Sequence, residues 1–201
     1  FPMPHVSNFY NKVAKKFGKY HTGAKYTKEY PGDNPEEVFK KKLIELSGKD
    51  KVVLDVGCAD GRFTLSIASY FKKIVAIDLS EGMLNAAKKL KTEKKIENVE
   101  FDRQNASKTI YKNKEFDVVY SRRGPTPFAE TFRLLKPGGY FIEIDIGEQD
   151  CREIKEIFDR GQDFGKWNIN RIDVIKIKAS KAGFKIIFAE DYFYNEYYSS
   201  Y

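Results

Sequence analysis

The residues with the clearest chemistry lie in the segment 52–63, VVLDVGCADGRF. Gly57, Ala59 and Gly61 are spaced to turn a strand into a helix, and Asp55 and Asp60 sit at the edge and inside of that turn. Small residues let a ligand lie against bare backbone, and the N–H groups at a helix start are free to donate. The spacing is G-x-A-x-G, not the G-x-G-x-x-G of a dinucleotide site, and no GK[ST] follows as in a phosphate-binding P-loop. Two carboxylates would repel phosphates. They suit a ligand that carries an amino group or a sulfonium. A further acid, Asp78, ends the next apolar run, KIVAID, where a carboxylate can accept hydrogen bonds from two ribose hydroxyls.

The elements that must position these groups follow from hydrophobic period. Residues 51–56 (KVVLDV), 73–78, 98–102, 116–121, 140–146 and 184–194 read as strands. The short, Val- and Ile-rich runs among them are what a strand buried on both faces requires. Residues 6–19, 35–47, 61–71, 81–91, 127–135, 150–163 and 171–182 read as helices. Asn34 is placed to cap the second, with Pro35 as its first residue. Alternation of strand and helix predicts an α/β, Rossmann-like, doubly wound sheet. It would be mainly parallel, with six or seven strands and helices on both faces. A seventh strand would have to come from about 192–201. Residues 1–47 read as an N-terminal helical cover and 48–201 as the ligand-binding domain, one domain overall.

DVGCADG resembles the D-x-G-x-G-x-G motif of the class I S-adenosylmethionine-dependent methyltransferases, with Ala59 in the middle glycine slot. Asp78 falls where that family places an acid on the ribose, and LLKPGGYF (134–141) resembles the family's turn into its fifth strand. The resemblance runs over roughly 50–190. It implies S-adenosylmethionine as cofactor, bound by Asp55, Gly57, Cys58, Ala59, Gly61, Asp78, Leu79, Met83, Asn105, Ala106 and Ser121. Asn105 stands where the family has Asp, and its amide oxygen can accept the same hydrogen bond from an adenine amino group. Leu79 and Met83 would pack on the adenine, although Met83 fits a plain core role equally well. Cys58 would contribute its backbone.

On the acceptor side the resemblance implies little. SRRGPTPF (121–128) is not the N-P-P-Y motif that holds amide or base amino groups. Arg122 and Arg123 can fork a carboxylate or phosphate of an acceptor, or pair with acids of the protein itself. His21 lies in YHTGAKY (20–26), a segment that the family often folds over its cofactor, and can be a base or a solvated side chain. Methyl transfer from a sulfonium is a direct displacement in which alignment supplies most of the acceleration. A dedicated catalytic residue is therefore optional, and Arg122, Arg123 and His21 are the only candidates. No histidine has partners at metal-ligand spacing, so no metal is expected.

Bulk composition bounds the rest. The 201 residues are 41% hydrophobic and 32% charged, with two cysteines and a net charge of +7. That suits one folded domain without a disulfide framework. No apolar run is long enough for a membrane span or a leader, which points to the cytoplasm. The first 50 residues hold ten lysines against six acids, interleaved rather than striped. The leading expectation is a methyltransferase for a small molecule, one with an anionic group if the arginines hold it. An RNA methyltransferase is the alternative that the positive charge suggests. A non-catalytic cofactor-binding protein of the same fold is the third.

Overall fold

A computed structural model describes residues 4–20 and 25–199. In chain order the elements are α1 (Pro4–Phe17), β1 (Tyr26–Glu29), α2 (Pro35–Glu45), β2 (Gly48–Val56), α3 (Arg62–Ile67), β3 (Phe71–Asp78), α4 (Glu81–Glu93) and β4 (Val99–Arg103). There follow β5 (Phe116–Arg122), α5 (Phe128–Leu134), β6 (Leu135–Ile144), α6 (Arg152–Phe158), α7 (Arg171–Lys181) and β7 (Asn195–Tyr198).

Five strands form one parallel sheet in the order β4-β3-β2-β5-β6. The chain winds outward from β2 to β4, then jumps back to β5. The switch in direction therefore falls between β2 and β5, where open α/β sheets bind their ligands. The strand period of two divides the sheet's side chains between two cores. Val53, Ile74, Ala76, Val118 and Tyr120 face one core together with Phe39 and Leu43 of α2, Leu65 of α3, and Leu84 and Ala87 of α4. Leu54, Val56, Val75, Ile77 and Val119 face the other, with Leu134 of α5. Helices thus cover both faces, as the alternation predicts. The 35–47 helix is part of this layered domain: Asn34 Oδ1 accepts the Glu36 N–H at 3.0 Å, and Phe39 and Leu43 are core residues.

Three expectations need correction. Residues 184–194 form no strand, so the main sheet has five strands rather than six or seven. Apolar composition favours an extended backbone, but a strand also needs a partner edge in register. Here Phe184 turns inward against Phe128, Phe132 and Phe141, which draws the chain off the β6 edge. The 195–198 segment does form a strand, but it pairs antiparallel with β1 in a separate two-stranded sheet. The helix expected over 150–163 is only α6, bounded by Cys151 and Asp159, both left-handed at φ +48° and +50°. Beyond it lie Gly161, Asp163 and Gly165, all at positive φ, a backbone no α-helix can continue. Finally, Lys136-Pro137-Gly138-Gly139 is a bulge inside β6. Phe116 pairs with Leu135 and Val118 with Tyr140, so the extra residues loop out around Gly138 at φ +75°.

Candidate active site

At the carboxyl end of β2 the chain turns through 57–61 into α3. The N–H groups of Gly57 and Cys58 both donate to the Ile77 carbonyl of β3, at 2.9 and 3.0 Å. Gly61, at φ +70°, has no room for a side chain. A Cβ there would lie 2.6 Å from the Phe101 ring and 2.9 Å from Ala87. Ala59 adopts φ +47° without being glycine, and its N–H donates to Asp78 Oδ2 at 3.0 Å.

Three carboxylates surround the turn in different ways. Asp78 accepts from Ala59 with one oxygen and from the Ser80 N–H with the other, at 2.7 Å. Burial pushes its pKa up against those backbone donors. Asp55 is inside: Thr64 donates to its Oδ2 at 2.5 Å and Tyr120 at 2.7 Å. Burial there raises its pKa to about 6, the two hydroxyls resisting. Asp55 therefore braces the turn from behind, tying β2 to α3 and β5. Asp60 accepts the backbone N–H of Tyr20 at 2.9 Å and pairs with Arg62 at 3.3 Å.

The remaining expected cofactor residues cluster at the same ends of the strands, with different exposures. Leu79 is half-buried beside Asp78. Met83 is fully buried, and Cys58 is buried in a core cluster, where burial raises its thiol pKa far above the ordinary value. Asn105 follows β4 and accepts the Ser107 N–H at 3.0 Å, while Ala106 is buried in the second core. Ser121 is buried at the end of β5, and its hydroxyl donates to the Pro125 carbonyl at 3.2 Å.

Arg122 and Arg123 converge on Glu36, in the first turn of α2. Arg122 Nε lies 2.8 Å from Glu36 Oε2, and an Arg123 terminal nitrogen lies 2.8 Å from Oε1. The Arg122 guanidinium also sits 5.1 Å from the centre of the Phe63 ring. Of the two roles open to these arginines, the structure shows the pairing within the protein. Their forks are turned to Glu36 and fasten α2 to the end of β5. His21 lies outside the described residues.

The chain matches the family model described as a methyltransferase domain over residues 47–169. The chain belongs to that family. That family is the class I S-adenosylmethionine-dependent methyltransferases, and the glycine turn, Asp78 and the switch between β2 and β5 lie within the matched span. It is similar to the demethylmenaquinone methyltransferase of Leptospira interrogans, 30% identical over 164 residues. These are 74% of this chain and 63% of that enzyme, so the chain spans less than two thirds of that relative. It is also 31% identical over 161 residues to phosphoethanolamine N-methyltransferase of Triticum aestivum, covering 30% of that longer protein. A solved S-adenosylmethionine-dependent methyltransferase from Aquifex aeolicus shares the fold. Its TM-score is 0.56 at 23% identity, over 75% of this chain and 84% of the other.

One part of the candidate site comes from residues that no motif marks. Asn11 of α1 accepts the Gly82 N–H at 3.0 Å and the Ser80 hydroxyl at 2.8 Å, so α1 caps α4 from outside. Ala14 packs where a Cβ on Gly82 would come within 3.0 Å. The Tyr10 ring stacks obliquely on Tyr20, centres 5.9 Å apart. Its hydroxyl pKa is raised by burial and by the nearby Tyr20 and Asp78. The only sequence signal was the Tyr- and Lys-rich helical pattern of 6–19, which says that a helix forms but not where it docks.

Proposed function

We propose that this chain transfers the methyl group of S-adenosylmethionine to a small molecule whose accepting atom is activated by loss of a proton. A reduced naphthoquinone ring is the first class to test. The donor set fits the cofactor. Asp78 has oxygen lone pairs left for ribose hydroxyls beyond its two backbone donors. The Gly57–Gly61 turn offers bare backbone beside it, and Asn105 and Leu79 stand at the adenine end. Bound there, S-adenosylmethionine supplies an electrophilic methyl on a leaving group that departs neutral. The chain's own part is to align the two substrates and exclude water, with α1 and Tyr20 over the ends of β2 and β3.

The observation that carries the acceptor reading is the charge at the carboxyl ends of the strands. Asp78 and Glu143 stand there without an ion pair among the described residues, Asp60 and Asp145 are paired with Arg62 and Arg171, and both arginines at the end of β5 are committed to Glu36. A phosphate would meet unpaired carboxylates and cations already paired with the protein's own acids. A neutral ring fits that setting, and the Leptospira relative is named for a demethylmenaquinone acceptor.

Calorimetry on the full chain should show binding of S-adenosylmethionine and its demethylated product, and none of NAD. S-adenosylhomocysteine should be released with 1,4-dihydroxynaphthalene under reducing conditions, with a weak dependence on salt. Preference for NAD would overturn the cofactor assignment. Release driven instead by bulk RNA, with affinity falling several units per decade of salt, would give the RNA alternative the case.

A further inference from the structure

One carboxyl at this rim takes no part in holding the turn. Glu143 is the last residue but one of β6, directly beside Ser121 of β5. Neighbours in a parallel ladder share a face, and alternation puts Ser121 and Glu143 opposite to Asp55 and Tyr120. On that face the loop after β5 presses against β2: a Cβ on Gly124 would lie 2.6 Å from the Val56 carbonyl. Glu143 Oε2 is buried and accepts no hydrogen bond. Leaving such an acceptor unmet is costly, and fold stability gives no reason to keep it.

The groups facing Glu143 are few. The Thr126 hydroxyl, from the loop before α5, favours its charged form. Asp145, one step beyond β6, disfavours it, and burial dominates, raising its pKa to about 7. Asp145 is itself paired with Arg171 at 3.2 Å. Among the described residues no ion pair reaches Glu143. Arg122, on the adjacent strand, faces the other side of the sheet toward Glu36. A carboxylate without a cation, at the acceptor end of the strands, is suited to hold a proton in transit.

Resting on the acceptor reading above, we propose that Glu143 is the proton acceptor of the methyl transfer. The hydroxyl proton of the reduced ring passes to the Glu143 carboxylate, and the freed electron pair moves into the ring. The ring carbon bonds the methyl carbon as the carbon–sulfur bond breaks, its electron pair staying on sulfur. The hydrogen on that ring carbon then leaves as a proton to water. The ring recovers its hydroxyl by taking the proton back from Glu143. One proton is released in all, and nothing is oxidised or reduced.

The test uses the full chain as wild type, Glu143→Gln and Glu143→Asp. Carbon-13 NMR of labelled carboxyls should show one signal, absent from Glu143→Gln, with a midpoint near 7. S-adenosylhomocysteine affinity should be alike in all three proteins, and so should the melting temperature at pH 5, where the Glu143 carboxyl holds its proton. With 1,4-dihydroxynaphthalene, Glu143→Gln should lower kcat by about 100-fold or more, the usual range for a lost acid–base group. It should also erase the pH limb near 7, with KM little changed, and Glu143→Asp should restore part of the rate. A midpoint at the ordinary carboxylate value, or a Glu143→Gln rate that keeps the wild-type limb, would overturn the proposal. If wild type binds S-adenosylhomocysteine yet never turns over the dihydroxynaphthalene, the acceptor reading falls, and the proposal with it.

Discussion

At the scale of single residues, three aspartates within 24 positions do three different jobs because their partners differ. Asp55 is sealed behind the turn by two hydroxyls, Asp60 is tied to Tyr20 and Arg62, and Asp78 holds two backbone N–H groups beside the turn. This bears on how Asp78 is tested. Asp78→Ala would strand the N–H groups of Ala59 and Ser80 and damage the turn along with the ligand site. Asp78→Asn keeps one acceptor oxygen and removes the charge. It strands one of the two N–H groups rather than both, so the melting temperature should fall less than for Asp78→Ala, while S-adenosylhomocysteine binding should weaken by about 1–3 kcal/mol, the range for charge-assisted hydrogen bonds. An unchanged dissociation constant by calorimetry would show that Asp78 serves only the turn. The sequence could place Asp55 and Asp78 at the ends of their strands from spacing alone. That Asp55 faces Thr64 and Tyr120 depends on which face of β2 looks toward α3, a matter of packing that the motif does not encode.

At the scale of elements, α1 is attached by polar contacts rather than by a deep core. Ala14 is its only buried residue among those described, and Phe9 and Phe17 stay exposed. Its hold rests on Asn11 at the α4 N-terminus and on the Tyr10–Tyr20 pair. Elements with few buried contacts open locally at low free energy. Ligand bound beneath α1 and Tyr20 should therefore slow amide exchange over 8–20 and leave β2–β5 nearly unaffected, as mass spectrometry can read. Asn11→Ala should remove most of that protection and weaken ligand binding by about fivefold, since a cap of this kind is worth about 1 kcal/mol. Equal exchange with and without ligand would refute a cover role. The central strands were readable because Val- and Ile-rich runs buried on both faces have few other homes. Residues 184–194 were equally apolar, yet Phe184 found a better site against the α5 and β6 aromatics than any strand edge offered. Local composition cannot decide between those outcomes, and the pairing of β7 with β1 spans almost the whole chain.

At the scale of the whole molecule, the buried Asp55 and the half-buried Glu143 set an unusual dependence of stability on pH. Asp55 and Glu143 have folded pKa values of about 6 and about 7, both above the ordinary carboxylate range. Between about pH 4 and 7 the folded chain therefore binds more protons than the unfolded one, so stability falls as pH rises through that window. The stabilisation is complete below the ordinary value and gone above the raised one. Each group contributes about 1–3 kcal/mol, because a tenfold change in proton affinity is worth about 1.4 kcal/mol. The opposite case is Glu130, held to about 2 by Arg133 and Thr109. Its contribution is present above the ordinary carboxylate value and is lost as pH falls toward 2. The net charge of +7 sharpens that acid limb, because protonating further carboxylates adds to an existing positive excess. The two limbs cross near pH 4–5, where stability should peak. Urea midpoints measured from pH 3 to 8 should trace this dome, with a fall of a few kcal/mol between pH 5 and 7.5. Glu143→Gln should flatten the upper limb in part, because the amide carries no proton to lose. A flat profile from pH 5 to 7.5 would mean that Asp55 and Glu143 are ionised at ordinary values. The brace behind the turn would then be an ion held by hydroxyls rather than a group that shares a proton with them.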